Sequence, residues 1–330
     1  MRRVDLKASW AAWPLAAAVV WLSYAHAREP RVFSAHEDNV YQLAFDAQGR
    51  LLATASGDNT ALLWDGLSGT VVRRWQHESA VYTVALHPRG ALAATGGGDG
   101  RVLLWEPRRA EPAGMVARHD SPVYCVAWSA EGDLLASAGG EGEEGDNVCR
   151  VWCVENRTML RELAGHSRPI YGTAFAPDGK LLATSSGDGT VRLWRLPEGE
   201  VRVLRGYPSD VYRCAFSPNG RWLAAAGQDG TVRVWDTAGE KPFAQLQAGR
   251  GPCYAVAFSA DSRWLAAAGD DQRLRLWTTE NWSERAVKRL ARAALYAVAF
   301  MPDGASLVIA GEEAEVKVVS LSELLEAETP

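Results

Sequence analysis

The sequence predicts an all-β ring of seven four-stranded units, and two observations carry that prediction. Seven of the nine tyrosines (Tyr41, Tyr82, Tyr124, Tyr171, Tyr212, Tyr254 and Tyr296) share one place in an internal repeat. They are spaced 41, 42, 47, 41, 42 and 42 residues apart, each directly after an apolar residue. A tryptophan closes six units (Trp64, Trp105, Trp152, Trp194, Trp235 and Trp277), 23 residues after the tyrosine or 28 in the third, and Val319 holds the seventh place. Such a period with strand-like content marks supersecondary units that bury their faces only against one another, and a count of seven points to closure.

Each unit reads as four short strands. The alternating run Tyr41-Gln42-Leu43-Ala44-Phe45 is the first strand of the first unit. In the fourth unit the turn Ala176-Pro177-Asp178-Gly179 precedes a small-residue second strand, Leu181-Leu182-Ala183-Thr184. A tight Gly187-Asp188-Gly189 turn leads to a third strand ending on Trp194, and Val201-Arg202-Val203-Leu204 is a looser fourth. Period-two patterning with turn signals roughly every eight to twelve residues is the mark of an all-β array. No helical periodicity interrupts it between Arg31 and Ser320.

Gly165-His166, Phe175-Ala176-Pro177-Asp178-Gly179 and the run from Ser186 to Trp194 follow the pattern of WD40 repeats. Residues 31–320 therefore resemble a seven-bladed WD40-type β-propeller, which implies four-stranded blades around a central channel and a platform for binding other proteins. The seventh unit runs out at Val319 after its third strand, while Arg31-Val32-Phe33 is a spare strand at the other end. Pairing it beside Val316–Val319 would close the ring with the N-terminal strand and leave no open gap.

In the first four units a histidine, a hydroxyl, an aspartate and the tryptophan recur at fixed offsets. They are His36, Thr54, Asp58 and Trp64; His77, Thr95, Asp99 and Trp105; His119, Ser137, Asp146 and Trp152; and His166, Thr184, Asp188 and Trp194. These sets resemble the family's structural hydrogen-bond tetrad, in which an imidazole donates from one nitrogen and accepts on the other. A buried network of this kind stabilises only if every member is satisfied. The last three units lose the histidine (Tyr207, Gly249, Ala291) together with the hydroxyl (Ala225, Ala267, Ile309), and the seventh has Glu313 for Asp. These units are expected to rely on apolar packing, with Trp222 and Trp264 as added bulk. Histidines dispersed one to a blade do not converge on an ion or a catalytic centre. No nucleophile elbow, phosphate loop or zinc spacing appears, so neither an enzyme, a cofactor nor a metal is expected.

The net charge of −5 argues against nonspecific nucleic-acid binding. Five cysteines form no spaced framework; Cys125, Cys214 and Cys253 fall on first strands, Cys149 and Cys153 on one third strand, and all read as free thiols. Residues 1–27 carry Arg2, Arg3 and Lys7 before an apolar run to Leu22 and an Ala25-His26-Ala27 site. Three readings stay open: a secretory signal removed after Ala27, giving a periplasmic or extracellular protein; a retained membrane anchor; or a cytoplasmic protein with a misplaced start or an extra helix. Residues 321–330 read as a short, frayed acidic tail, with two turns of amphipathic helix from Leu321 to Glu328 as the alternative. The one insertion, Gly140–Asp146, adds a surface loop with Glu141, Glu143 and Glu144 between the second and third strands of unit three.

The expected function is a non-enzymatic interaction scaffold that binds a protein or peptide on its top face. The candidate contacts are the seven tyrosines, as a collar at the channel mouth, and the three glutamates of the insertion. Aromatic faces beside carboxylates favour a Lys or Arg side chain of a partner. The alternative is a small-ligand-binding or enzymatic propeller that uses the channel mouth as its pocket. Strand parity, which groups Tyr41 with Leu43 and Phe45, leaves open whether the rings line the channel or pack between blades.

Overall fold

The computed structural model describes residues 31–326; the expected leader and residues 327–330 lie outside them. Among the described residues, seven antiparallel four-stranded sheets are arranged as successive blades of a closed propeller. Six are built from consecutive strands, the first of them Val40–Phe45, Leu51–Ser56, Thr60–Asp65 and Val71–Gln76. The seventh combines Leu295–Phe300, Ser306–Gly311 and Glu315–Ser320 with the N-terminal strand Arg31–Ser34. That strand pairs antiparallel with the third, Arg31 opposite Val318 and Ser34 opposite Glu315.

The burial pattern explains why a single blade is not stable alone. Second strands such as Leu51–Ser56 and Leu181–Ser186 are buried at five of six positions, on both faces of the sheet. Small residues (Ala53, Ala55, Ala183) let neighbouring sheets approach, and the tryptophans fill the space between them. The core is accordingly divided into inter-blade clusters. Ala53, Trp75, Val81 and Trp105 join blades one and two, while Phe33, Val40, Trp64, Val308 and Val316 join blade seven to blade one. Phe33 stacks on Trp64 with centroids 6.0 Å apart. It also covers Gly69, where an ideal Cβ would lie 2.2 Å from the ring and where φ is +72°, so any side chain there would displace the closing strand.

The chain end differs from the frayed tail expected of it. Leu321–Glu326 forms a short helix with Leu324 only 2% exposed. Leu321 and Leu324, three residues apart on one helical face, join the cluster between blades six and seven. Apolar burial against the fourth strand of blade six, Glu284–Arg289, outweighs the weak propensity of so short an acidic helix. The cysteines are free; Cys153 is half-buried and the other four are buried.

Candidate functional site

Each tyrosine is the second residue of an innermost strand, and in all seven blades the register shifts across it. Val40 faces Ser56 while Gln42 faces Ala55, and the same step recurs from Val81/Thr83 to Leu295/Ala297. A β-bulge leaves one residue unpaired and re-aims its side chain. Here the unpaired residue is the tyrosine, so the parity linking Tyr41 to Leu43 and Phe45 is broken.

The seven rings meet in an unbroken circuit. Tyr41 lies 5.4 Å from Tyr82 and 5.7 Å from Tyr296, centroid to centroid, and the other neighbours are 5.1–5.7 Å apart. Interplanar angles of 32–69° are the tilted and edge-on arrangements that aromatic quadrupoles favour. A seven-sided figure with such edges has a radius of about 6 Å, wide enough to leave a lumen inside rings of ordinary thickness. The rings line a single cavity of about 290 Å³ together with Arg213.

Carboxylates surround the hydroxyl ends. The Tyr296 hydroxyl donates to Glu312 at 2.5 Å. Burial, and then the negative charge of Asp210, pushes the Tyr171 and Tyr212 phenols up from their ordinary value. Burial followed by Asp270 does the same at Tyr254, and Asp38 contributes at Tyr41 after burial. Sequence reasoning missed Asp270 and Glu312. The legible signal was the acidic doublets Asp270-Asp271 and Glu312-Glu313, where the first four blades have Gly and the fifth Gln228 before the relay acid. Burial, then the neighbouring Tyr82 and Tyr171, raises the Tyr124 phenol, and the charge of Glu141 in the insertion adds a little. Glu143 reaches Arg168 of the next blade at 3.8 Å, and Glu144 is exposed. Asn147 ties the loop at its base, donating to the Gly142 carbonyl at 3.0 Å.

The four histidine sets are not equivalent. In blades one and four the chain is continuous: Trp64 Nε1 donates to Thr54 Oγ1 (2.9 Å), His36 Nε2 meets Thr54 (2.6 Å), and His36 Nδ1 meets Asp58 Oδ2 (2.8 Å). Trp194, Thr184, His166 and Asp188 repeat it at 2.9, 2.8 and 2.8 Å. Burial works against the Asp188 charge, but bonds from His166 and Thr190 outweigh it and hold the carboxyl far below its usual range. Thr60 and Thr190, not singled out by the repeat pattern, donate their hydroxyls to the aspartate Oδ1 at 2.6 Å and turn Oδ2 toward the imidazole.

Where that threonine is missing, the relay changes. Blade two has Arg101 instead, directed to Glu78 at 3.0 Å. His77 Nδ1 and Asp99 Oδ2 then stand 3.9 Å apart, and neither has a hydrogen-bond partner. In blade three Arg150 reaches both Asp146 Oδ2 (2.6 Å) and His119 Nδ1 (2.9 Å). A guanidinium only donates, so Nδ1 accepts and the ring proton sits on Nε2, facing Ser137 at 2.8 Å.

Blade two yields a pH prediction. Burial, incompletely offset by Asp99, lowers the His77 pKa to about 4. An unfolded histidine takes up its proton near about 6.5, so between these values the unfolded chain binds more protons. Stability is therefore full above pH 6.5 and falls as acid is added through that window, by about 3 kcal/mol at most. Urea midpoints at pH 7.5 and 4.5, with the imidazole titration followed by NMR, are expected to show this. A His77 signal that titrates near 6.5 would disprove it.

Blades five to seven do not rest on apolar packing alone, as the sequence suggested. The retained acid pairs instead with a basic residue four positions on. Arg233 meets Asp229 at 2.8 Å and Arg275 meets Asp271 at 2.7 Å, while Lys317 meets Glu313. The basic groups also reach the carbonyl just before the histidine position, Arg275 to Ala248 and Lys317 to Leu290, as Arg192 reaches Gly165 in blade four. In blade five the Tyr207 hydroxyl donates to the Ala225 carbonyl and accepts from Arg233 N–H, with the Arg233 guanidinium 4.0 Å above its ring. Trp235 Nε1 is left without a partner where Ala225 replaces the hydroxyl.

Among the described residues, no group of three or more His, Cys, Asp or Glu is placed to hold a metal ion. The comparisons with known proteins agree with the architecture. The family described as IFT122 first beta-propeller matches residues 94–327, and the WD domain, G-beta repeat matches residues 28–65 and 69–106. No curated protein matches the chain. WD-repeat propellers generally serve as protein-interaction scaffolds. With seven repeats closed into one ring and more than half of its length matched, the chain belongs to the WD-repeat β-propellers, in the family of the IFT122 first propeller.

Proposed function

We propose that the ring is a non-enzymatic scaffold that captures a segment of a partner protein at the mouth of its channel. The observation that carries this reading is the circuit of seven half-buried tyrosines opening among carboxylates. A cation resting on an aromatic face gains about 0.5–2 kcal/mol, more as water is excluded, and the acids at the hydroxyl ends add attraction. A Lys or Arg side chain of the partner is the group this rim receives. Glu141, Glu143 and Glu144 extend the acidic surface beside Tyr124. Catalysis would require acids, bases or nucleophiles converging on the lumen, where the lining is phenols and one guanidinium.

Peptides selected from a random library on the immobilised ring are expected to be enriched in Lys and Arg. Tyr124→Ala combined with Tyr171→Ala is expected to weaken the selected peptides about tenfold or more, which is about 1.4 kcal/mol, with the far-UV spectrum unchanged. Selected peptides without basic residues, or binding indifferent to the double substitution, would sink the reading.

A further inference from the structure

Arg213 is the one charged side chain among the residues lining the tyrosine cavity. It follows Tyr212 in blade five, but its guanidinium reaches back past blade four to the Tyr124 carbonyl in blade three, at 3.5 Å. Gly172 clears the way in the intervening blade: a Cβ there would lie 2.8 Å from the Tyr212 carbonyl oxygen and 3.0 Å from Arg213 Cα. The tyrosine hydroxyls reach the turns and the carboxylates at the mouth, whereas Arg213 sits at the backbone end of the rings. Along the axis the charge thus changes from negative at the mouth to positive beneath the collar.

That cation is poorly matched within the chain. A guanidinium has five N–H donors, and the one bond recorded for Arg213, to a carbonyl, is at the limit of hydrogen-bond length. No carboxylate pairs with it among the described residues. The thiols beside it are neutral, since burial pushes Cys214 up to about 12 and Cys125 well above its ordinary value. Arg213 is half-buried, and burial lowers the pKa of its guanidinium. A partly desolvated cation without an anion is unfavourable, and an oxyanion that supplies its missing bonds displaces water from the lumen and offsets that cost.

We propose that the bore beneath the collar is an anion site, in which Arg213 receives a carboxylate carried by the captured segment. This rests on the collar being the site of capture. It also confines the partner's Lys or Arg to the rim, because a second cation below the rings would face Arg213 in a medium of reduced dielectric. The bound segment is therefore dipolar, with its basic residue among Asp38, Asp210, Asp270 and Glu312 and its carboxylate toward the axis. A carboxylate fits better than a phosphate, whose second charge is repelled more strongly by those four acids on entry.

The test follows the arginine Nε–H resonances of the labelled ring at constant ionic strength. The Arg213 signal is identified as the one lost in Arg213→Met, a variant expected to fold because it replaces an unpaired charge with an apolar chain. Acetate is expected to shift that signal saturably, while chloride and methylammonium leave it in place and inorganic phosphate binds more weakly than acetate. A signal indifferent to acetate, or one moved as far by methylammonium, overturns the anion site. Tighter binding of phosphate than of acetate overturns the carboxylate assignment. The underlying capture reading is separated by the selected peptides. Loss of binding in the double tyrosine variant but not in Arg213→Met leaves capture standing and removes the anion site. Loss in neither removes both. About tenfold weaker binding in Arg213→Met, with Arg213→Lys intermediate, supports the full proposal.

Discussion

Deleting Arg31–Ser34 is expected to lower the melting temperature by roughly 10 °C or more, although only four residues leave a ring of almost three hundred. The strand supplies the whole outer edge of blade seven, pairing from Arg31 opposite Val318 to Ser34 opposite Glu315. Its Phe33 is 7% exposed and packs on Trp64 of blade one, so one side chain spans the seam between the last blade and the first. Losing a buried phenylalanine alone costs about 3–5 kcal/mol. The Arg31 guanidinium also reaches the Leu67 carbonyl across the same seam. In an array whose units contact only their neighbours, opening one interface exposes two faces at once, and Glu315–Ser320 becomes an unprotected edge. Differential scanning calorimetry of the deletion checks this, with Phe33→Ala separating the side chain from the strand. A deletion that melts with the intact protein would falsify closure as a source of stability.

The period and the ends of the chain carried the fold, because blade number and closure depend on repeat spacing and on which strand is missing where. The seven tyrosines were legible as a set for the same reason. Their direction was not, since it depends on a bulge between Val40 and Gln42 and its six equivalents, and a bulge inserts no recognisable residue type. The polar sets show a second limit. His77 and Asp99 stand at the same offsets as His36 and Asp58, yet the first pair is 3.9 Å apart and the second 2.8 Å. The difference lies in Thr60 against Arg101, two residues after the aspartate, where a short hydroxyl can fix the carboxylate and a long cation turns away. In blades five to seven the loss of histidine does not leave the acid without a partner. Asp229, Asp271 and Glu313 each meet the Arg or Lys four positions on, whereas Arg192, equally spaced from Asp188, turns to the Gly165 carbonyl while His166 occupies the carboxylate. The terminal helix was legible only as an alternative to a frayed tail, since Leu321 and Leu324 matter only against a surface the local sequence does not contain.

His166→Ala is expected to cost about 3 kcal/mol or more, and Tyr207→Phe about 1–2 kcal/mol, although both residues hold the same repeat position. His166 joins Asp188 to Thr184, and Thr184 in turn accepts from Trp194. Removing the ring takes one partner each from the Asp188 Oδ2 and the Thr184 hydroxyl, both buried, at about 1–3 kcal/mol apiece, and adds a cavity. Asp188 keeps Thr190 and the Ser167 amide, so its charge survives and the penalty is not a lost proton but lost solvation. Tyr207→Phe removes only a hydroxyl. The Ala225 carbonyl and the Arg233 amide lose that partner, but the ring still fills the blade, and Arg233 still pairs with Asp229 at 2.8 Å and covers the aromatic face. The acid in blade five is therefore held by a cation that the substitution does not touch, whereas the acid in blade four is held largely by the residue that is removed. Urea unfolding at pH 7.5, above the ordinary and the lowered pKa of His166, gives the comparison free of its protonation. Equal losses at the two positions would mean that the histidine relay and the arginine pair stabilise their blades in the same way, and the division of the ring into two polar classes would fail.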